Sequence, residues 1–193
     1  MKNASLIAAT TLLALGLSHT GSAQGPQGQG GPPAAPTITT LAGDLQVDWA
    51  AQKELFVNAA DAMPDDKFGY QPTPGQQSYG VRIMHVVQVN QALVGLLGGK
   101  TPAPAINMKA ATKAEVMTAL RLSMDHWDVV LKEFTDQQLN ERVAVPPGPL
   151  GLSASRQRAI YWCMQHNWDI YGQMVVYLRL NGIVPPASRR GGI

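Results

Sequence analysis

At 193 residues, with 45% apolar and 15% charged residues, the chain has the size and composition of one globular domain with a substantial core. A formal charge of only +2, with no run of lysines or arginines interleaved with aromatics, excludes the electrostatic footprint of a nucleic-acid binder. Cys163 is the single cysteine, which excludes an internal disulfide and leaves the core to hold the fold.

The chain opens as a secretory signal does. Lys2 supplies the positive start, Leu6 to Leu17 an apolar run, and Gly21, Ser22 and Ala23 the small residues of a cleavage site, so residues 1–23 are expected to be removed. The run is too short to span a bilayer comfortably, and no cysteine follows it to carry a lipid. The expectation is export to the periplasm or beyond, with no stable membrane insertion. Residues 24–38 are mostly glycine, proline and glutamine, with little to bury, and read as a flexible linker. The folded domain is expected over 39–188, with a short tail at 189–193.

Within that domain the first helical stretch runs from about Leu41 to Met63. Leu45, Trp49, Gln52, Phe56, Ala59 and Met63 recur in steps of four and three, which keeps them on one face. Gln52 is the polar member of that stripe and needs a partner inside. Pro64 ends the helix, and DDKFGYQPTPGQQ makes a loop. A second helix spans Ser78 to about Leu97, stopped by Gly98 and Gly99. On it His85, Gln88 and Ala92 share one side of an otherwise apolar element. The proline-broken connection KTPAPAINMKAA is long for a hairpin between neighbouring helices.

The third helix has the clearest start, a capping box of Thr112 and Glu115. Its stripe is Met117, Leu120, Met124, Trp127, Leu131 and Phe134; His126 stands about 100° off it and is expected at the surface. The segment TDQQLNERVAVPPGPLGLS carries two adjacent prolines and no helical period, so it reads as a long loop. The fourth helix starts on Ser153 or Ser155 as cap and continues to Asn181, with Gly182 placed to end it. Four amphipathic helices without strand alternation predict an all-α, four-helix bundle.

The chemistry concentrates in QHNWDIYGQ, residues 165–173. At about 100° per residue, His166 shares a face with Ala159, Trp162, Ile170, Gln173 and Tyr177, with Cys163 and Asp169 about 60° to either side. This face is mostly apolar and is expected to point inward. A buried imidazole needs both nitrogens served, by backbone, by a side chain such as Gln173, or by a metal. Zinc or nickel normally takes at least three protein ligands. His85 and His166 give two, with Asp169 as a flanking carboxylate. Cys163, inside an apolar helix, reads as a small buried hydrophobe. Neither a nucleophilic triad nor a glycine-rich phosphate loop can be assembled from the residues present.

The stretches MPDDKFGYQPTPGQQSYGVRIMHVV and HNWDIYGQMVVYLRLNGIVPPAS resemble the DinB superfamily, four-helix bundles whose relatives include thiol-dependent transferases. The resemblance spans roughly residues 40 to 188 and implies an up, down, down, up bundle. For metal-bearing members it implies one ligand on the second helix and an HxxxH pair on the fourth. These positions fall on His85, His166 and Ile170, and isoleucine has no donor atom. Asp169 is the nearest residue that could stand in. The expectation is therefore a degenerate metal site with no tightly bound zinc or nickel, in a bundle of unknown activity with no assigned catalytic residue. The bundle is expected either to bind a small-molecule ligand or to act as a homodimeric scaffold, with His85, His166 and Gln173 forming an internal hydrogen-bond network. The alternative is a divalent-metal-dependent transferase or hydrolase, in which an ion on His85, His166 and Asp169 activates water or a thiol.

Overall fold

Thr40 opens the first helix, α1 (Leu41–Ala62), by accepting a hydrogen bond from the Gly43 amide. The Asp136 carboxylate takes two more first-turn donors, the amides of Leu41 and Ala42, at 3.2 and 2.8 Å. Three of the donors that every helix start leaves free are thus satisfied. This computed structural model describes residues 40–146, 148, 151 and 153–189. The expected signal at 1–23, the expected linker at 24–38 and all but the first residue of the expected tail lie outside the described residues.

After a 3-10 turn at Asp65–Lys67, α2 (Tyr79–Leu96) follows Ser78 and stops before Gly98, whose φ of 71° is the left-handed conformation a glycine stop supplies. Helix α3 (Lys113–Leu131) starts on the capping box foreseen from Thr112 and Glu115. The last long helix, α5 (Arg156–Leu180), starts on Ser155, whose hydroxyl accepts from the Arg158 amide. Gly182, at φ 74°, follows its end.

Two expectations need correcting. The segment read as one long loop contains a five-residue helix, α4 (Asp136–Asn140), with its own capping box of Thr135 and Gln138. It also contains an antiparallel pair, β1 (Arg142–Ala144) and β2 (Ser153–Ser155), with Val143 opposite Ala154. Elements this short show no period, so pattern reading passes over them. Arg142 pins the pair by donating from Nε to Ser153 Oγ at 2.9 Å and from Nη2 to Ser153 O at 2.6 Å. The second correction is His126, which is only 7% exposed. The connection after α2 folds back over its flank of α3, because Glu133 accepts from the Lys100 and Thr101 amides and from the Thr101 hydroxyl. That places Thr101 O 3.4 Å from His126 Nε2.

The fold is mostly helical. Helix α1 packs mainly on α3 and α5, and α2 packs on the same two, so the core lies among the four long helices. At its centre Trp49 and Trp127 stack with ring centroids 4.9 Å apart. Each indole N–H reaches a carbonyl, Trp49 that of Met124 at 3.3 Å and Trp127 that of Asn90 at 2.9 Å, which lets so large a polar-edged ring be buried. Gln52 finds its inner partner in Met164 O, to which its Nε2 donates at 2.9 Å. No helix among the described residues is long and apolar enough to cross a membrane.

Candidate functional site

Where α2 packs against α5, the two histidines singled out by the sequence meet. His85 Nε2 and His166 Nε2 stand 3.1 Å apart, with ring centroids at 5.0 Å and planes 65° apart. Trp162, one turn earlier on α5, stacks on His166 at 5.9 Å and 16°. At that separation one ring donates its N–H and the other accepts. Burial, and then the neighbouring His85, hold His166 below the ordinary histidine value, so it is neutral at neutral pH.

The face that carries His166 is less inward than its apolar composition implies. Ile170 and Tyr177 are buried, but Trp162, His166 and Gln173 are only half-buried. The reason lies one step round the helix, where Cys163, Met164 and Asn167 are the residues turned to the bundle interior. The polar line of α2 also faces out, with Gln88 and Ala92 both exposed.

The remaining candidates stand apart from the pair. Asp169 is exposed, and its carboxylate accepts from Gln173 Nε2 at 2.9 Å. The two side chains expected to support the histidines therefore support each other. Ile170, one turn beyond His166, is 2% exposed and presents hydrocarbon where a third donor would sit. Among the described residues no group of three or more His, Cys, Asp or Glu is placed to hold a metal. Two imidazole nitrogens do not fit a firmly held zinc or nickel ion. Cys163 is fully buried, its thiol pushed up by burial, and it donates to Asn90 Oδ1 at 3.2 Å.

Two features escaped the sequence reading. His85 borders a cleft of about 590 Å³, walled by Phe68, Val81 and Met84 on one side and by Met108, Lys109 and Val116 on the other. Clefts of this size and mixed lining accept small organic molecules. The only sequence signal for it was the length of the connection after α2, which supplies one wall. The second feature is Asn167, fully buried beside His166, with its side chain placed to accept from that ring and so to work against the lowering of its value. Gln52 Oε1 is buried without a partner. Such an atom costs about 1–3 kcal/mol if left unserved. Helical spacing measured from His166 hid Asn167, because it lies about 100° away from the face under scrutiny.

Comparison with known proteins agrees with the architecture. The sequence model of the DinB superfamily matches residues 48–174. A crystal structure of a DinB-like protein from Bacillus cereus superposes with a TM-score of 0.65 at 20% identity, covering 76% of this chain and 96% of that one. A DinB-like protein from Bacillus subtilis gives 0.57 at 11% identity, covering 72% and 92%. At these identities the likeness is one of fold. None of the curated proteins compared with this chain matches it.

Proposed function

The chain belongs to the DinB superfamily, and from that premise we propose that it binds a small organic molecule in the cleft beside α2, with His85 as the polar end of the site. The observation that carries this reading is the double position of His85. It borders the cleft, and its Nε2 meets His166 Nε2 at 3.1 Å. Phe68, Val81 and Met84 offer an apolar wall for the body of a ligand, and the ring of His85, held by His166, offers a fixed polar contact that sets its orientation. A resident divalent ion is not part of the reading, because Ile170 stands where the third donor is needed.

Three finer points belong to it. The long helices run up, down, down, up; in support, Lys113 at the start of α3 pairs with Asp61 near the end of α1, and Lys53 earlier in α1 pairs with Asp125 and Asp128 further along α3. The protein works outside the cytoplasm, as the signal-like residues 1–23 suggest. Two copies pair through the outer face of α5, where Tyr161, Trp168 and Val176 are exposed.

Fragment screening by NMR tests the cleft. Small aromatic fragments should shift the His85 ring and Met108 methyl resonances, and His85→Ala should abolish the Met108 shift. If no fragment moves either signal, the cleft reading fails. Calorimetric titration of tag-free protein with zinc chloride tests the metal-free part, with no stoichiometric binding expected. One equivalent of zinc, lost in both His85→Ala and His166→Ala, would overturn it.

A further inference from the structure

The seam between α1 and α5 carries a second hollow, of about 310 Å³, that shares no residue with the cleft at His85. Tyr161, Met164, Gln165 and Trp168 line it from α5, and Asp48 and Ala51 line it from α1. Seven residues are close to two helical turns, so Tyr161 and Trp168 stand one above the other on the same side of α5, about 10.5 Å apart along its axis. Both rings are open to solvent, at 39% and 43% exposed. Tyr171 meets Trp168 edge to face, with centroids 5.5 Å apart and planes at 87°, which braces the indole without covering it.

Helix α1 contributes a charge. Gln52 donates to Met164 O at 2.9 Å and so fixes the seam one turn beyond Asp48. Asp48 is exposed, and among the described residues its carboxylate meets no donor and no cation. Lys53, the nearest lysine along α1, is taken up by Asp125 and Asp128 of α3. Asp44, one turn before Asp48, adds a second exposed carboxylate. Arg158, three residues before Tyr161, already has a partner and lines the neighbouring hollow instead.

We propose that this hollow binds a small quaternary or methylated ammonium ion, between the rings of Tyr161 and Trp168 and beside the carboxylate of Asp48. A cation midway between rings about 10.5 Å apart lies about 5 Å from each, inside the roughly 6 Å over which an aromatic ring attracts it. Methyl groups on the nitrogen present an apolar surface to the rings, whereas a bare ammonium is strongly hydrated and gives up more on leaving water. An anion is repelled by Asp48 and Asp44, and a neutral molecule gains nothing from either. The same rings serve the proposed pairing of two copies, so a bound cation and a second copy exclude each other. The inference is independent of any ligand in the cleft at His85.

The test follows the Trp168 indole N–H by NMR while choline is added to the full chain, in parallel with the neutral isostere in which carbon replaces the charged nitrogen. Choline should shift the Trp168 signal and bind about tenfold more tightly than the isostere. In variants, binding is read from saturation transfer to the choline methyl groups. Asp48→Asn should remove most of the advantage over the isostere, and Trp168→Leu should weaken choline about tenfold, with Trp168→Phe, which keeps a ring, in between. Both positions are exposed, so neither change threatens the core. Phosphatidylcholine vesicles carry the same group at a surface: protein that sediments with them takes the cation from a lipid headgroup, and protein that binds choline alone takes a free solute. Equal binding of the isostere overturns the proposal, and so does choline that leaves Trp168 unmoved. Sedimentation velocity reads the pairing separately, and choline should shift any dimer toward monomer. A dimer that persists at high choline with Trp168 unmoved overturns the cation site and leaves the pairing standing.

Discussion

Between α1 and α3, Trp49 and Trp127 stack at the centre of the core, and each indole N–H finds a carbonyl within 3.3 Å. Between α2 and α5, His85 and His166 also bring two rings together, but they satisfy each other through one nitrogen only. Asn167, fully buried, stands beside the His166 ring as its other polar neighbour on α5. Evolving a stable core favours the first arrangement, because an unserved buried polar atom erodes a stability that is only marginal. A binding site needs a polar group at its border, and the half-buried His85 supplies one beside the cleft.

Truncating an aromatic on each side gives the widest separation. Trp127→Ala removes a fully buried ring together with its stacking partner and its hydrogen bond, and should cost about 3–5 kcal/mol in urea denaturation. His166→Ala removes a half-buried ring and should cost about 1 kcal/mol, the common size for such changes. Equal costs would mean that the histidine pair is as much a part of the structural core as the tryptophans are.

A second experiment asks how far the α2–α5 side is from a metal centre. Position 170 lies one turn beyond His166 and on the same side of α5. Ile170→His should therefore add a third nitrogen to the two already 3.1 Å apart. In that variant zinc at a hundred times its dissociation constant should stabilise the fold by about 2.7 kcal/mol, read as a rise in Tm. Wild-type protein should show no such rise. If the variant also shows none, the backbone of α5 no longer holds the geometry that a third ligand requires.

The sequence made the two sides legible to different degrees. The stripe from Leu45 through Trp49 to Phe56, and the stripe from Met117 to Phe134, announce the α1–α3 interface, because large apolar residues at helical spacing have only one place to go. Thr112 with Glu115 and Gly182 likewise state local rules that no tertiary contact overrides. Polar residues are harder to place. His126 was expected outside because its burial depends on Thr101, 25 residues earlier in the chain. Gln173 was expected to serve His166, but Asp169, one turn before it on the same helix, is the nearer partner. His85 and His166 stood out as the two imidazoles on inward-facing helix stretches, and the family resemblance brought them to one site; of the cleft the sequence showed only the length of the 98–111 connection, which has no period to reveal where it folds.

Acid should act on the two sides unequally. His166 is held below its ordinary value in the fold, so as pH falls the unfolded chain takes up this proton before the folded one does. The contribution of His166 is fully present above the ordinary histidine value of about 6.5 and is lost as pH falls toward its lower folded value. Denaturation midpoints should thus decline as pH falls from about 7 through the ordinary histidine value. His166→Phe should flatten that decline and leave untouched a second one at lower pH. There Glu115 and Glu133, held low chiefly by bonds to Thr112 and to Thr101, become protonated. A wild-type midpoint that is flat through the upper window would remove the case for a desolvated His166.

The smallest effect belongs to the most conspicuous charges on the sealed side. Lys53 of α1 bridges Asp125 and Asp128 of α3 at the rim of the tryptophan stack. Burial pulls its ammonium value down, but the bonds to the two carboxylates outweigh that and leave it raised. Since the partners are 60% and 28% exposed, solvent screens much of the attraction, and Lys53→Met should cost no more than about 1 kcal/mol. Part of that cost is repulsion between Asp125 and Asp128, which lie three residues apart on one helix and lose the cation between them. Raising the salt concentration should shrink the difference between wild type and variant. A loss close to that of Trp127→Ala would mean that ion pairing, and not the buried aromatic stack, closes the α1–α3 side.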